Sequence, residues 1–300
     1  MRTYFDCVQC FVRQALDAAR LLSTDEKIHE QVLRRVLSLS SEMDFYRSPP
    51  EKGQRIHRLI REFLRDDDPY RQIKDRSNRL AMKLYPELKK KIEQSSDPLE
   101  TAVRFAIAGN IIDLGVNSQL DESIIYKTLE DSVKNALFPN TIDDFRNAVD
   151  QAADILYLGD NGGEIVFDRL LIEQLPYEKV TFVVRGSPVI NDVTLIDAQF
   201  TGMTDIVEVI DNGSDAPGTI LEDCSLAFRA RFEKADLIIA KGQGNYESLS
   251  DIKKNILFVL MAKCPVIARD IGCDVGSLVL KTNFPKITAK TDNKRCAETT

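Results

Sequence analysis

The spacing of apolar residues divides this chain into two parts that predict different secondary structure. In the first 150 residues, apolar side chains recur every three or four positions, as at Phe5, Val8, Phe11 and Val12. This spacing predicts amphipathic helices. Similar patterns predict further helices over 32–37, 56–64, 70–93, 98–114, 122–137 and 142–153. We therefore expect residues 1–150 to form an all-helical domain.

Residues 151–285 have a different pattern, in which short apolar runs alternate with helical spacing. The runs predict strands at 154–158, 179–184, 205–210, 236–240 and 256–260. Helices fit between them at 164–175, 192–202, 219–234 and 246–254. Such alternation is typical of βαβ units and predicts an α/β fold with a mostly parallel sheet. Residues 286–300 lack periodicity, and we expect a polar tail there.

The composition narrows the class of protein. A chain of 300 residues with 43% hydrophobic and 29% charged residues is typical of a globular protein and long enough for two domains. Its net charge of −7 argues against a nucleic-acid partner, which requires a basic surface. The sequence shows no membrane span and no signal peptide. We expect a cytoplasmic protein with mostly reduced cysteines, and the sequence predicts no oligomeric state.

Polar residues follow the first predicted strand at the point where it ends. Asp160, Asn161, Gly162 and Gly163 come directly after this apolar run and Gly159, and a helical pattern follows them. In an open α/β sheet, ligands bind at the carboxyl ends of the strands. Carboxylate and amide oxygens suit Mg²⁺ or Mn²⁺, whereas glycines before a helix let the backbone approach an anion. Taken alone, this sequence is explained equally well as a turn with a helix N-cap or as a site for a metal and a phosphate. The site is favoured because polar groups at other strand ends would join it.

Other strand ends would add polar groups to the same edge of the sheet. Asp192 follows the second strand, and Asp211 follows the third. Taken alone, Asp192 is better explained as a helix N-cap, and Asp211 as part of a turn. The fourth strand leads into a glycine-rich turn, where a lysine suits a phosphate oxyanion. The candidates for phosphate binding in that turn are Lys241, Gly242, Gly244 and Asn245.

Polar residues of the helical half could face the same site, since we expect this domain to cover the active edge of the sheet. Asn110 and Asp113 share one face of a predicted helix in apolar company, where they could cap a neighbouring helix or line a cleft. Asp68 precedes a proline and predicts a helix N-cap. Lys74 and Asn78 follow on that helix and could point into the same cleft or into water, and solvent is the default environment for such residues.

The cysteines leave a second metal site open. Cys7 and Cys10 form the only C-x-x-C of the chain and share one helix face. A zinc site usually needs four ligands, and no second pair is present, although Cys264 or Cys273 could complete a site in space. Free cysteines are more commonly small buried apolar residues.

Seven short motifs occur along the chain in an order that points to a known family. They are CVQC (7–10), DPYRQIK (68–74), AGNIIDLG (108–115), GDNGGEIVFD (159–168), SPVINDVT (187–194), AKGQGNYE (240–247) and AKCPVIA (262–268). Over about residues 1–285 the chain resembles the metal-dependent damage-control phosphatases, long known as domain of unknown function eighty-nine. The paired cysteines resemble the cysteine-bearing prokaryotic branch of that family.

The resemblance implies a helical N-terminal domain, an α/β domain with a Rossmann-like sheet, and a site between them. The implied metal ligands are Asp160, Asn161 and Asp192. Lys241 and the glycine-rich turn would hold the substrate phosphate, with Asn110 and Asp113 facing the same cleft. The family hydrolyses small phosphorylated metabolites, including sugar phosphates, with Mg²⁺, Mn²⁺, Co²⁺ or Ni²⁺. Its proposed role is the disposal of damaged or excess metabolites.

We interpret the chain as a metal-dependent phosphomonoester hydrolase. A bound metal would polarise the phosphoryl group and activate a water molecule. Lys241 and backbone N–H groups near 162–164 and 242–245 would stabilise the charge on the transferring group. Glu164, Asp168 or Asp113 could act as general acid or base, and the sequence does not rank them.

Two other hypotheses belong to different functional classes. A Rossmann-type methyltransferase or dehydrogenase is disfavoured because GDNGGE lacks G-x-G-x-x-G, and Arg185 occupies the position of the expected ribose-binding acid. A metal-dependent metabolite-binding module without turnover stays open.

A histidine-based nucleophile is disfavoured, because His29 and His57 lie among charged residues and we expect both to be exposed.

Overall fold

The computed structural model of the chain describes residues 1–109, 126–127, 129–131, 134–139 and 141–283. Asn110 and Asp113 lie outside the described residues, as does the predicted tail at 286–300, so their proposed roles stay predictions. Of the predicted helix over 122–137, the described residues 126–127 and 129–131 are helical. Its last residue, Leu137, belongs to a strand rather than to a helix, so the prediction is wrong at that end.

The first half of the described chain is helical, as its apolar spacing predicts. Its helices are α1 (Phe5–Leu22), α2 (Glu26–Ser41), α3 (Pro49–Leu64), α4 (Arg71–Glu93), α5 (Pro98–Ala108) and α6 (Ile142–Gln151). Helices α1 to α3 bury an apolar cluster that includes Phe11, Val32 and Ile56. No helix of the described segments is both long and apolar enough to cross a membrane.

Local sequence explains where two of these helices begin. A capping box of Ser48 and Glu51 starts α3, and the Asp97 side chain accepts the backbone N–H of Glu100 at the start of α5. Asp68 is not the N-cap of α4, because that helix begins two residues after Pro69 with Tyr70 at its N-cap. The predicted cap at Asp68 is therefore wrong.

The described residues form one seven-stranded sheet. Its strands are β1 (Leu137–Phe138), β2 (Ile155–Leu158), β3 (Val180–Val184), β4 (Glu208–Asp211), β5 (Leu237–Lys241), β6 (Ile256–Met261) and β7 (Leu278–Thr282). The spatial order is β1-β7-β6-β5-β2-β3-β4. All neighbouring pairs are parallel except β6 and β7, which confirms the predicted mostly parallel α/β fold.

Helices cover both faces of this sheet. They are α7 (Glu164–Ile172), α8 (Leu195–Phe200), α9 (Leu226–Lys234), α10 (Gly242–Leu249) and α11 (Pro265–Ile271). One face carries a core around Tyr157, Phe167 and Phe182, and the other a core around Phe228 and Phe258. Helices α4 and α5 of the first half pack on α7, which brings the helical half to the end of β2. Since β1 comes from before residue 150, the division into 1–150, 151–285 and 286–300 stays a prediction.

Candidate metal and phosphate site

The carboxyl ends of β2, β3 and β5 place the predicted polar residues at one edge of the sheet. Strand β2 lies between the other two, so the turns that follow these three strands are neighbours. The turn after β2 pairs with the turn after β3 through an isolated antiparallel bridge between Asn161 and Asp192. The N–H of Val193 donates to the carbonyl of Asp160 at 2.8 Å and fixes this pairing. The backbone thereby brings two predicted ligand-bearing turns together.

Asp160 lies in a buried group of carboxylates at this edge. Its carboxylate accepts a hydrogen bond from Nδ2 of Asn161 at 3.1 Å, and the same Nδ2 donates to Oε1 of Glu164 at 2.8 Å. Burial, then the charges of Glu164 and Asp192, raise the pKa of Asp160 well above its ordinary value. Within the described chain, Oδ1 of Asn161 accepts no hydrogen bond. The crowded negative charge and this amide oxygen are both suited to a cation.

Asp192 is held by an arginine that the sequence interpretation did not assign to the site. Arg185 is 2% exposed, and its Nε donates to Oδ2 of Asp192 at 2.7 Å. Burial raises the pKa of Asp192 even though the Arg185 charge opposes that shift. The N-cap interpretation of Asp192 is wrong, because Thr194 caps α8 through a capping box with Asp197. The position of Arg185 directly after the strand predicted at 179–184 was the available signal.

Lys241 lies at the end of β5 between two acidic side chains. Its Nζ is 3.2 Å from Oε2 of Glu164 and 3.2 Å from Oδ1 of Asp168, and all three residues are buried. Burial alone would lower the pKa of Lys241, but the neighbouring carboxylates, Asp168 first, outweigh it and raise that pKa. Burial raises the pKa of Asp168 to about 6, and Tyr157 donates its hydroxyl to Asp168 at 2.8 Å. Lys241 is therefore a fully charged group held deep in the site.

The glycine-rich turn after β5 is the first turn of α10. Gly242 adopts a positive φ of 79° and lies against the carboxylate of Asp160. The first N–H groups of such a helix have no partner within it, which makes its start a suitable place for an anion. Asn245 is already engaged, since its Nδ2 donates to the carbonyls of Lys241 at 2.7 Å and Gly159 at 3.2 Å. The roles of Gly242, Gly244 and Asn245 in phosphate binding stay predictions.

Helix α4 adds two side chains for which the sequence leaves either this cleft or solvent open, with solvent as the default. Lys74 and Asn78 are both buried completely, so the solvent default is wrong for them. Oδ1 of Asn78 accepts the N–H of Gly163 at 2.6 Å, and the N–H of Gly162 donates to the carbonyl of Asn191 at 2.8 Å. These two N–H groups are therefore occupied by protein acceptors, which corrects the expectation that they face a phosphate. The spacing of four residues between Lys74 and Asn78 was the available signal for a shared helix face.

The donor set at this edge fits a divalent cation by its chemistry. Among the described residues, no three His, Cys, Asp or Glu side chains form a ready-made metal cluster. The predicted set instead combines the carboxylates of Asp160 and Asp192 with the amide of Asn161. A cation would stabilise the crowded carboxylate of Asp160, whereas Asp192 is already paired with Arg185 through one of its oxygens. Hard oxygen donors suit Mg²⁺ or Mn²⁺. The predicted ligands are thus brought together, and their coordination of a metal stays a prediction.

The cysteines and histidines are not among the predicted metal ligands. Cys264 accepts a hydrogen bond from Gln243, in the turn after β5, at 3.7 Å, and lies near Cys7 and Cys10. Cys7 is half-buried and Cys10 is exposed, and both are free thiols. Burial is the main cause that raises the pKa of each of these two thiols. His57 is buried, which corrects its expected exposure, and burial lowers its pKa to about 4. His29 is half-buried, so full exposure is wrong there too.

Comparison with known proteins places this chain in a family. The damage-control phosphatase ARMT1-like domain matches residues 3–279. A damage-control phosphatase of Archaeoglobus fulgidus is 38% identical over 283 residues, which cover 92% of this chain and 97% of that protein. The damage-control phosphatase PH1575 of Pyrococcus horikoshii is 32% identical over 292 residues, covering 96% of this chain and 100% of that protein.

A solved structure extends the likeness to the fold. The crystal structure of PH1575, a DUF89 family protein from Pyrococcus horikoshii, superimposes with a TM-score of 0.87 at 32% identity. The superposition covers 94% of this chain and 99% of that chain. The family resemblance of the sequence motifs is thereby confirmed over nearly the whole described structure. This chain belongs to the ARMT1-like damage-control phosphatase family.

Proposed function

We propose that this protein is a metal-dependent phosphatase that hydrolyses phosphate monoesters of small metabolites, with sugar phosphates as the expected class. Two relatives, 38% and 32% identical to this chain, are named damage-control phosphatases, which supports phosphatase activity in metabolite damage control. The observation that carries the proposal is one buried edge where Asp160, Asn161 and Asp192 lie beside the lysine that ends β5. Oxygen ligands for a cation and a cation for a phosphate are therefore adjacent.

Asp160, Asn161 and Asp192 are the residues that would hold the metal. When bound there, a divalent ion supplies Lewis-acid polarisation of a phosphoryl oxygen and a lowered pKa for a bound water. Mg²⁺ and Mn²⁺ fit the oxygen donors best, and the family resemblance adds Co²⁺ and Ni²⁺. Arg185 fixes one carboxylate oxygen of Asp192 and so orients the other.

The remaining site residues bind the phosphate and move protons. The ammonium of Lys241 and the first N–H groups of α10 stabilise negative charge on the transferring phosphoryl group. Glu164 lies between the metal-binding and the phosphate-binding residues. Its Oε1 accepts a hydrogen bond from Asn161, whereas its Oε2 pairs with Lys241. We assign the acid/base role to Glu164. Asp168 is fully buried behind Lys241 and instead holds that lysine in place.

The experiment that tests this function begins with protein stripped of metal by a chelator. Phosphate release from p-nitrophenyl phosphate and a panel of sugar phosphates is measured after each divalent metal is restored. We expect metal-restored turnover in the wild type and none in D160N, with both proteins folded. Asp211, an exposed acid at the end of the neighbouring strand, provides the control D211N, which should keep wild-type turnover.

The other outcomes separate the competing hypotheses. Metal-dependent binding of a sugar phosphate without phosphate release would favour the binding module. A thermal shift with a methyl donor and no need for metal would favour the methyltransferase. Full metal-dependent turnover in D160N would show that Asp160 is not a required ligand.

A further inference from the structure

An ion pair contributed by the helical half lies directly against the metal-binding turn. The aliphatic stem of Lys74 covers Gly162, where an added Cβ would be 3.1 Å from Cγ of the lysine. Its ammonium is fully buried and lies 2.9 Å from Oδ2 of Asp68, in the segment between α3 and α4. Asp68 itself keeps 17% of its side chain exposed. The pair therefore joins the buried turn to the outside of the cleft.

This pair has hydrogen-bonding capacity that the described residues do not use. Neither Nζ of Lys74 nor Oδ1 of Asp68 has an aligned hydrogen-bond partner among them, although both atoms are buried. The 2.9 Å contact between the two side chains is thus an ion pair without hydrogen-bond alignment. Buried polar groups are nearly always paired, so a donor and an acceptor left side by side indicate a missing group that both accepts and donates.

The nearest other acid does not supply that group. Oδ2 of Asp197 is 3.8 Å from Nζ of Lys74, and its carboxylate is already saturated. Asp197 accepts from Arg71 at 2.7 Å, from Asn78 at 2.9 Å and from both the N–H and the hydroxyl of Thr194. Lys74 therefore keeps donors that are free for a ligand.

We propose that Lys74 and Asp68 form a subsite for a hydroxyl group of the substrate, next to the residues that bind metal and phosphate. A hydroxyl can accept from the ammonium and donate to the carboxylate at the same time. A phosphate at this position would meet the negative charge of Asp68 and has no proton to offer it when fully ionised. The subsite would thus select esters that carry a hydroxyl on the chain beyond the phosphate. This inference rests on the proposed phosphatase function.

Two matched esters test the subsite. Glycerol 3-phosphate and n-propyl phosphate have chains of equal length, but only the first carries hydroxyls. We expect D68N and K74M each to lower the ratio of kcat/KM for glycerol 3-phosphate to that for n-propyl phosphate by about tenfold, the size of one hydrogen bond to a charged group. Lys90, an exposed lysine of the same helix, gives the control K90M, whose ratio should equal that of the wild type.

Several results would overturn the subsite. Equal losses on both esters in folded D68N would show that the pair supports the fold or the phosphate rather than a hydroxyl. An unchanged ratio in both variants would show that no hydroxyl binds there. Melting temperatures identify a variant that fails to fold. If K74M fails to fold, the ratio measured for D68N, which keeps the shape of the side chain, decides whether the subsite exists.

The test also separates this inference from the proposed function. If the metal-loaded wild type hydrolyses neither ester, the phosphatase proposal fails, and calorimetry of the same two esters tests the subsite by binding alone. A preference for glycerol 3-phosphate that D68N removes would support the subsite, whereas equal affinities would overturn it.

Discussion

Gly242 and Asp160 touch at the centre of the site, where the start of α10 meets the turn after β2. A Cβ added to Gly242 would overlap both carboxylate oxygens of Asp160. The backbone at Gly242 also has a φ of 79°, a conformation that favours glycine. This contact joins the predicted phosphate-binding helix to the predicted metal ligand. A change at Gly242 should therefore also displace the carboxylate of Asp160.

The variant G242A should therefore lose metal affinity as well as stability. We expect at least a tenfold weaker metal affinity, because the new methyl group must displace the Asp160 carboxylate. The left-handed backbone adds a strain of about 1–2 kcal/mol to the folded state. Metal titration by calorimetry and urea unfolding measure the two effects separately.

Gly272 provides a matched control for that substitution. It has a φ of 86°, and an added Cβ would meet nothing within 4 Å. G272A should thus show the backbone strain without any change in metal affinity. If G242A and G272A weaken metal binding equally, contact with Asp160 is not the cause.

The fold could be predicted from the sequence because its central strands are short, mostly apolar runs. Strands β2, β3 and β5 are buried along their whole length, and no competing pattern obscures them. Strand β1 was missed because two residues carry no periodicity. Strand β7 was missed because its last two residues are only half-buried and lead into a polar segment.

The sequence predicts site residues correctly only where the arrangement of the strands by itself brings them together. Asp160 follows β2 and Lys241 ends β5, and these two strands are parallel neighbours in the sheet. Lys74 and Asn78 reach the site only because α4 packs on α7, a tertiary contact that no local pattern encodes. For a lysine on an amphipathic helix, solvent is the correct default until that contact is known.

Lys241 should contribute strongly to stability as well as to phosphate binding. The variant K241M leaves the buried carboxylates of Glu164 and Asp168 without their cation, and removing one partner of such a buried pair costs about 3–5 kcal/mol. Adding D168N removes one of the two uncompensated charges. We expect the double variant to be more stable than K241M in urea unfolding, yet equally inactive.

The comparison of K241M with the double variant has a control and an outcome that would contradict it. Lys253 is exposed, so K253M should change the free energy of unfolding by no more than about 0.5 kcal/mol. If D168N destabilises K241M further by as much as it destabilises the wild type, the two residues do not interact. Activity of K241M near the wild-type value would remove this lysine from the phosphate site.

The buried His57 should make the protein less stable in mild acid. Its folded pKa of about 4 lies below the ordinary value of 6.5, because burial disfavours the charged ring. Above pH 6.5 the ring is neutral in both states and has no effect. As the pH falls from 6.5 towards 4, the unfolded chain binds a proton that the folded chain does not bind, so the free energy of unfolding decreases. The full difference corresponds to about 3 kcal/mol.

The variant H57L isolates this contribution, because leucine fills a similar volume and does not titrate. We expect the free energy of unfolding to fall less steeply between pH 6.5 and 4 in H57L than in the wild type, by about 3 kcal/mol over that range. Parallel profiles for H57L and the wild type would mean that the pKa of His57 is the same in the folded and the unfolded protein, and burial would then not lower it.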